Sequence, residues 1–464
     1  MTLHVQATTG CNLGCSYCYE NPDRERKQEW VDRQYDLDEI FDRLNEFGHR
    51  YDEVPGLHGG EPLLMRTEDI EAIFEWVYER YDRGPAIQTN GTLIDDKHIE
   101  LFRDYDVHVG VSCDGPAELN RERQAAGERE TDRTNATDSM TGRTVDAIER
   151  MIEEGIPCSV ITVVHETNAG TDERLEKLLD WIDWLCRNGV TGHYNPAIPY
   201  DDIQNDVSVG PERLKEVYLR TWEWMKAEPY RSWNPMEQMV DNLIGNGTGG
   251  CVNRRCDVFN TRDAKSIKGN GESSGCGKTW SAVGDGVPFL QGPTTDNEYE
   301  HSNERYDVLK NTPGPHGEET PDMGGCKGCT YWNVCQGGCP SAGINDDWRN
   351  RSIWCEAKYA LYERIEHDIR AIFPNVTLVT DFPWDAELSR SDMRKHDWSG
   401  DFKPFSAVRP GTRGPSSASR AAADPAGPAL DRVPNRVLPD RLRSQKSGQS
   451  TSTGWRTVTE FDTE

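Results

Sequence analysis

No run of this 464-residue chain approaches the ~20 consecutive apolar residues that a membrane span needs. Nor is there a basic excess, because 52 Lys and Arg stand against 80 Asp and Glu, a formal net charge of −28. A surface of that sign repels phosphate backbones and anionic lipid, so neither a nucleic acid nor a membrane is expected as a partner. The chain opens directly on a strand pattern without the charged leader and apolar core of an export signal, and the expectation is a cytoplasmic, reducing setting. Acidic residues line the outer faces of helical patterns such as DEIFDRLNEFGHRYDE, as in a hydrated, halophilic surface.

Cysteine, by contrast, is plentiful and unevenly spread, with 14 in all. Cys11, Cys15 and Cys18 fall in CNLGCSYC, directly after the apolar-alternating LHVQATT. Three thiolates on a four-iron cube leave one iron open, and an open coordination position is where a substrate or cofactor binds. A zinc knuckle is the competing reading. It needs a fourth ligand nearby, and the next histidine is His49.

The C-x3-C-x2-C segment, with Tyr17 before its last cysteine, resembles the signature of the radical S-adenosylmethionine (SAM) superfamily. That resemblance implies an open iron that binds the amino and carboxylate groups of SAM. HGGEPLL at 58–64 resembles the family's GGEP motif, in which Gly59, Gly60 and Glu61 end the second strand and backbone groups hold the SAM amino group. AIQTNGTL at 86–93 and VHVGVSCDGP at 107–116 resemble its third and fourth strand ends, which implies Asn90 near the cofactor and Ser112 and Asp114 near its ribose and carboxylate. Relatives read roughly HDxxR after the fourth strand, whereas residues 120–124 here read NRERQ, followed by a long polar insert. The arginine for the SAM carboxylate is therefore one of Arg121, Arg123 or Arg143.

Cys113, Cys158 and Cys186 lie singly on apolar patterns and read as small buried hydrophobes. The remaining eight lie between Cys251 and Cys355: Cys256-x14-Gly271-x4-Cys276, Cys326-x2-Cys329-x5-Cys335-x3-Cys339, then Cys355, with Cys251 as an eighth thiolate. This resembles the SPASM domain, the auxiliary-cluster module of many peptide-modifying radical SAM enzymes, and eight thiolates suffice for two fully ligated 4Fe-4S clusters. By likeness to anaerobic sulfatase-maturing enzymes, the first cluster would take Cys251, Cys256, Cys276 and Cys339. The second would take Cys326, Cys329, Cys335 and Cys355. A zinc ribbon over 326–339 would leave Cys251, Cys256 and Cys276 without a role. NGESSGCGKT at 270–279 has the ending of a phosphate-binding loop, but Glu272 stands where the first glycine is required, and an acidic side chain there repels phosphate.

Strand patterns at 3–9, 54–58, 86–90, 108–112, 159–164 and 192–198 alternate with helical patterns at 37–49, 68–81, 95–105, 144–154, 173–187 and 211–226. Six βα units predict an α/β fold with a parallel sheet, matching the partial (β/α)6 TIM-like barrel that the resemblance implies. The expected organisation is a barrel over 1–230, a cysteine-rich SPASM domain over 231–380 and a low-complexity tail over 381–464. The last 64 residues carry ten Lys and Arg against seven Asp and Glu, lose periodicity and read as disordered.

By resemblance, the expected activity is reductive cleavage of SAM and hydrogen abstraction from a C–H bond of a peptide or protein. It would use three 4Fe-4S clusters and a reducing donor such as ferredoxin or flavodoxin, and a leader-peptide substrate would be bound either by a separate peptide-recognition protein or by residues 201–250. An aspartate follows the G-x4-C cysteine in the sulfatase-maturing branch, but Gly277 stands here, so formylglycine formation is disfavoured. The alternatives are oxidation, decarboxylation or epimerisation of a small molecule, and a non-enzymatic electron-transfer or cluster-carrier protein.

Overall fold

Strand and helix alternate from the first residues because apolar β-branched runs end in polar turns, after which the periodicity changes from two to nearly four. The computed structural model describes residues 2–18, 34–47, 54–126, 130–199, 207–245, 264–274, 302–317, 321–386 and 456–457. Its strands are β1 (Thr2–Gln6), β2 (Gly56–His58), β3 (Ala86–Thr89), β4 (His108–Ser112), β5 (Cys158–Val164), β6 (Thr191–Pro196), β7 (Ala264–Lys268) and β8 (Ser273–Ser274). They form one sheet in the order β6-β5-β4-β3-β2-β1-β7-β8. Seven are parallel, and only β8 runs antiparallel to its neighbour. Because β6 and β7 lie toward opposite edges, the barrel is open.

Register holds the core together. Ile267, Val5, Leu57, Ile87 and Val109 are successive cross-strand partners, and each is at most 2% exposed. Burying one such side chain stabilises the fold by about 1.5–3 kcal/mol. The helices α1 (Leu37–Phe47), α2 (Thr67–Arg80), α3 (Asp96–Asp104), α4 (Glu130–Glu153), α5 (Asp172–Arg187) and α6 (Pro211–Ala227) follow successive strands. Caps fix where two of them start: Asp95 Oδ1 accepts from His98 N at 3.0 Å, and Thr171 Oγ1 accepts from Arg174 N at 3.3 Å.

Two elements differ from the sequence-based expectation. The helix expected at 144–154 begins at Glu130, inside the polar insert. Its buried face there is threonine, at the helical spacing Thr137, Thr141 and Thr144. Those hydroxyls bond Ala125 N at 3.1 Å, Asn120 Nδ2 at 3.0 Å and the Asn90 carbonyl at 2.9 Å, so this face packs without the apolar periodicity that marks most helices. The other difference is β7, a seventh parallel strand drawn from beyond residue 230. It pairs with β1 through Val5 and Ile267.

The cysteine-rich half contributes α7 (Met236–Leu243), α8 (Ser302–Asn311) and α9 (Cys355–Ile372). Leu361, Ile365 and Ile369 of α9 are buried in the core shared with the barrel. Asp368 accepts from Trp222 Nε1 at 2.8 Å and from Lys226 Nζ at 2.7 Å, both on α6. Burial pushes the Asp368 carboxyl up, but hydrogen bonds from Lys226, Trp222 and His367 outweigh it and hold the group well below the usual carboxylate range. A depressed folded pKa gives stability that is present above the unfolded carboxylate pKa and is lost as pH falls through the folded one. Asp368→Asn should therefore lower Tm at neutral pH, and the gap to wild type should narrow in thermal melts below about pH 4. A gap independent of pH would assign the loss to packing alone.

The disorder expected of the tail lies outside the described residues. Within the tail, Arg456 and Thr457 pair antiparallel with Tyr35 and Gln34. No described helix is long and apolar enough to cross a membrane.

Candidate active site

β1 ends in a turn that becomes the cysteine loop, and the two glycines after β2 lie against it. Gly60 N donates to Thr8 O and Glu61 N to Gly10 O, both at 2.8 Å. A Cβ on Gly60 would stand 2.1 Å from Gly10 O, and one on Gly59, where φ is +129°, would stand 2.4 Å from Thr8 O. Only glycine permits that approach. Glu61 is fully buried. Its carboxylate accepts from Leu63 N at 3.0 Å, Thr89 Oγ1 at 2.7 Å and Asn90 N at 2.7 Å, tying the end of β2 to the end of β3. Burial raises its pKa, and these hydrogen bonds offset part of the rise.

The loop is also clamped from the other side. Gly14 N donates to Gln124 O at 2.8 Å, Ser16 N to Glu122 O at 3.0 Å, and Ala126 N to Asn12 O at 3.2 Å. The NRERQ stretch is thus a strap across the cysteine loop. Cys11 Sγ accepts from Leu13 N at 3.3 Å, and Asn90 Nδ2 lies 3.8 Å from the same sulfur while donating to Asn12 Oδ1 at 2.8 Å. Ser112, at the end of β4, accepts from Gln88 Nε2 at 2.9 Å.

Beneath the loop sits a buried polar cluster. Tyr17 donates its hydroxyl to Asp114 Oδ2, and Arg123 Nη1 donates to Tyr17 Oη at 3.1 Å. Asp114 also accepts from Val163 N at 2.8 Å, and His165 Nε2 lies 3.2 Å from Asp114 Oδ2. The His165 ring stacks on Tyr17 at 5.5 Å between centroids. Two buried atoms in this cluster have no hydrogen-bond partner, Arg123 Nε and His165 Nδ1. Burial pushes the Cys15 thiol up to about 12, with Arg123 pulling it partly back. Of the three candidate arginines, only Arg123 is buried in this cluster. Arg121 lies 3.8 Å from Asp138 on the surface, and Arg143 is exposed. His165 is the residue that sequence reasoning missed. Its position immediately after β5 was the available signal, since barrel sites gather at strand C-terminal ends.

A second thiol group lies in the cysteine-rich half. Cys326, Cys329, Cys335 and Cys355 line one cavity together with Tyr331, Tyr359 and Lys358. Cys355 opens α9, an 18-residue helix whose N-terminal dipole favours a thiolate. Burial pushes Cys329 and Cys355 up to about 12. Burial also raises Cys326, with its three neighbouring thiols adding to the rise. Thiols raised in this way shed their protons together only against a strong positive charge, which is what a bound metal cluster would provide. Cys339 stands apart from this cavity, its sulfur 2.9 Å from Ser341 Oγ. Cys251, Cys256 and Cys276 lie outside the described residues.

Among the described residues, no three His, Cys, Asp or Glu side chains gather as ligands of a single metal ion. The thiolates of a cube bond different irons and stand farther apart than that. Donor set and setting fit the clusters: three cysteines on a loop over the strand ends with an unpartnered guanidinium nitrogen below, and four thiols around one cavity.

Residues 5–182 match the family model described as the radical SAM superfamily. Over those residues the chain is similar to radical SAM domains. Among curated relatives, a Methanocaldococcus jannaschii protein is 28% identical over 191 residues, 40% of this chain and 59% of the relative. The cysteine-type anaerobic sulfatase-maturating enzyme of Clostridium perfringens is 34% identical over 123 residues, 25% of this chain and 32% of the enzyme. The chain thus spans less than two thirds of either relative. Among solved structures, native anSMEcpe with bound AdoMet superposes with a TM-score of 0.60 at 17% identity, over 81% of this chain and 100% of that one. The same protein with AdoMet and Cp18Cys peptide gives 0.58 over 81% and 99%. At that identity the likeness is one of fold, and it extends beyond the radical SAM domain into the cysteine-rich half.

Proposed function

We propose that this chain is a radical SAM enzyme that modifies a peptide or protein, with a SPASM-type second half holding two auxiliary clusters. The observation that carries the reading is the cysteine loop, clamped between the 59–61 strap and residues 122–126 with Arg123 buried beneath it. When bound at Cys11, Cys15 and Cys18, a 4Fe-4S cluster supplies the electron for reductive SAM cleavage, at potentials that thiolate-ligated clusters reach down to about −700 mV.

The chain's own residues bind, orient and seal. Arg123 Nε, buried and unpartnered, is the donor for the SAM carboxylate. Tyr17 fixes the guanidinium from one side, and Asp114 fixes Tyr17, so Asp114 acts on SAM through its neighbours. Asn90 braces the Cys11 sulfur, and Glu61 holds the strap whose backbone faces the ligand. Gly59 and Gly60 keep that strap close. Ser112, at the next strand end, is the proposed contact for the ribose. Closure of these strand ends excludes water from a reactive intermediate.

A peptide substrate is supported by the relatives, of which one curated protein is a sulfatase-maturating enzyme and one solved structure holds a bound peptide. Cys326, Cys329, Cys335 and Cys355 are proposed as ligands of one auxiliary cluster, and Cys251, Cys256, Cys276 and Cys339 of the other. A low-potential donor such as ferredoxin or flavodoxin would feed the first cluster. The test is mass spectrometry of small peptides encoded beside this gene, coexpressed with and without the enzyme. A defined mass change, such as loss of two hydrogens, is the expected result. Unmodified peptides, alongside a small molecule transformed by the anaerobic enzyme, would replace the peptide reading.

A further inference from the structure

Lys358 is an unusual residue to find in the wall of the four-thiol cavity. It is only 6% exposed, and among the described residues it makes no ion pair or hydrogen bond through its side chain. A buried ammonium without a partner is costly unless something negative occupies the space beside it. Its placement follows from the helix: Lys358 is three residues past Cys355 in α9, so the two side chains share a face. The backbone at Gly338 leaves room for its end. Gly338 has φ of +74°, and a Cβ there would stand 2.6 Å from Lys358 Nζ. Two arginines also act on these thiols from outside the cavity lining: Arg351 pairs with Asp322, with Nη1 2.7 Å and Nη2 2.5 Å from its two carboxylate oxygens, and Arg305 donates to the Trp348 and Gly338 carbonyls at 2.9 Å. Among the described residues, Lys358 is therefore the cation in the lining of this cavity, and its ammonium is not paired with a carboxylate.

We propose that Lys358 raises the reduction potential of the cluster held by Cys326, Cys329, Cys335 and Cys355. The inference rests on the cluster reading above. Four thiolates leave a ligated cube negatively charged, and each electron it accepts deepens that charge by one. A fixed ammonium in the wall stabilises the reduced form more than the oxidised one, and net charge and hydrogen bonds to sulfur are the protein's levers on cluster potential. In the dry cavity the effect is stronger than it would be in water.

The experiment is an anaerobic redox titration of the full-length holoprotein, followed by electron paramagnetic resonance. The signal of this site is assigned as the one lost in Cys326→Ala/Cys329→Ala. Lys358→Met should move its midpoint to a more negative potential at unchanged iron content, while Lys358→Arg should keep it near wild type. Lys358→Gln carries the same test if the methionine variant loads poorly. An unmoved midpoint in an iron-replete variant overturns the proposal, as does an arginine variant that shifts as far as the methionine one, since packing rather than charge would then be responsible. If no signal and no iron are lost in Cys326→Ala/Cys329→Ala, it is the cluster reading itself that fails.

Discussion

Replacing Cys11, Cys15 and Cys18 together by Ala should abolish SAM cleavage while leaving the cysteine-rich half loaded with iron. The three thiols belong to a loop held at its backbone by Gly60, Glu61, Gln124 and Glu122, and none of those bonds uses a cysteine side chain. The fold around the strand ends should therefore survive the change. With three 4Fe-4S clusters in wild type, iron should fall from about twelve to about eight per chain. Formation of 5'-deoxyadenosine under reducing, anaerobic conditions should drop to background. A variant that loses all its iron would mean that the two halves load cooperatively, and one that still cleaves SAM would remove the loop from the chemistry.

The second large effect is expected at Arg123. Its guanidinium is buried, reaches Tyr17 with one nitrogen and leaves Nε unpartnered. Truncating one side of a buried, hydrogen-bonded charge pair costs about 2–5 kcal/mol, so Arg123→Gln should weaken SAM binding at least about thirtyfold. Iron bound by the first cluster should be retained, because Arg123 bears on Cys15 through charge and not as a ligand. Arg121→Gln, on the surface beside Asp138, is the matched control and should bind SAM as wild type does. Equilibrium binding to the reconstituted, unreduced protein separates the two variants without any turnover. Equal affinities would return the carboxylate contact to another residue.

The sequence made parts of this site legible for physical reasons. A cysteine triplet and a double glycine are rare residue types at fixed spacing, and Gly59 and Gly60 are demanded by backbone contacts that no side chain tolerates. Parallel strands such as Cys158–Val164 are apolar on both faces and announce themselves. Arg123 was one of three candidates because what separates it from Arg121 is the direction of a side chain leaving an irregular strap, which spacing does not encode. The early turns of α4 were hidden because their buried face is threonine, satisfied by hydrogen bonds and lacking an apolar stripe. β7 was hidden because it comes from far along the chain and owes its place to pairing with β1. His165 and Lys358 were unremarkable in sequence, and each becomes informative only through the buried cluster or cavity that surrounds it.

The central claim is that SAM binds at an open iron held by Cys11, Cys15 and Cys18. It is tested most directly by electron paramagnetic resonance of the reduced holoprotein with and without SAM, in wild type, in the Cys11/Cys15/Cys18→Ala variant and in Cys326→Ala/Cys329→Ala. SAM should perturb one cluster signal in wild type and in the Cys326/Cys329 variant, and that signal should be missing from the triple variant. A wild-type spectrum that SAM leaves unchanged, or a SAM-sensitive signal that persists without Cys11, Cys15 and Cys18, would contradict the account.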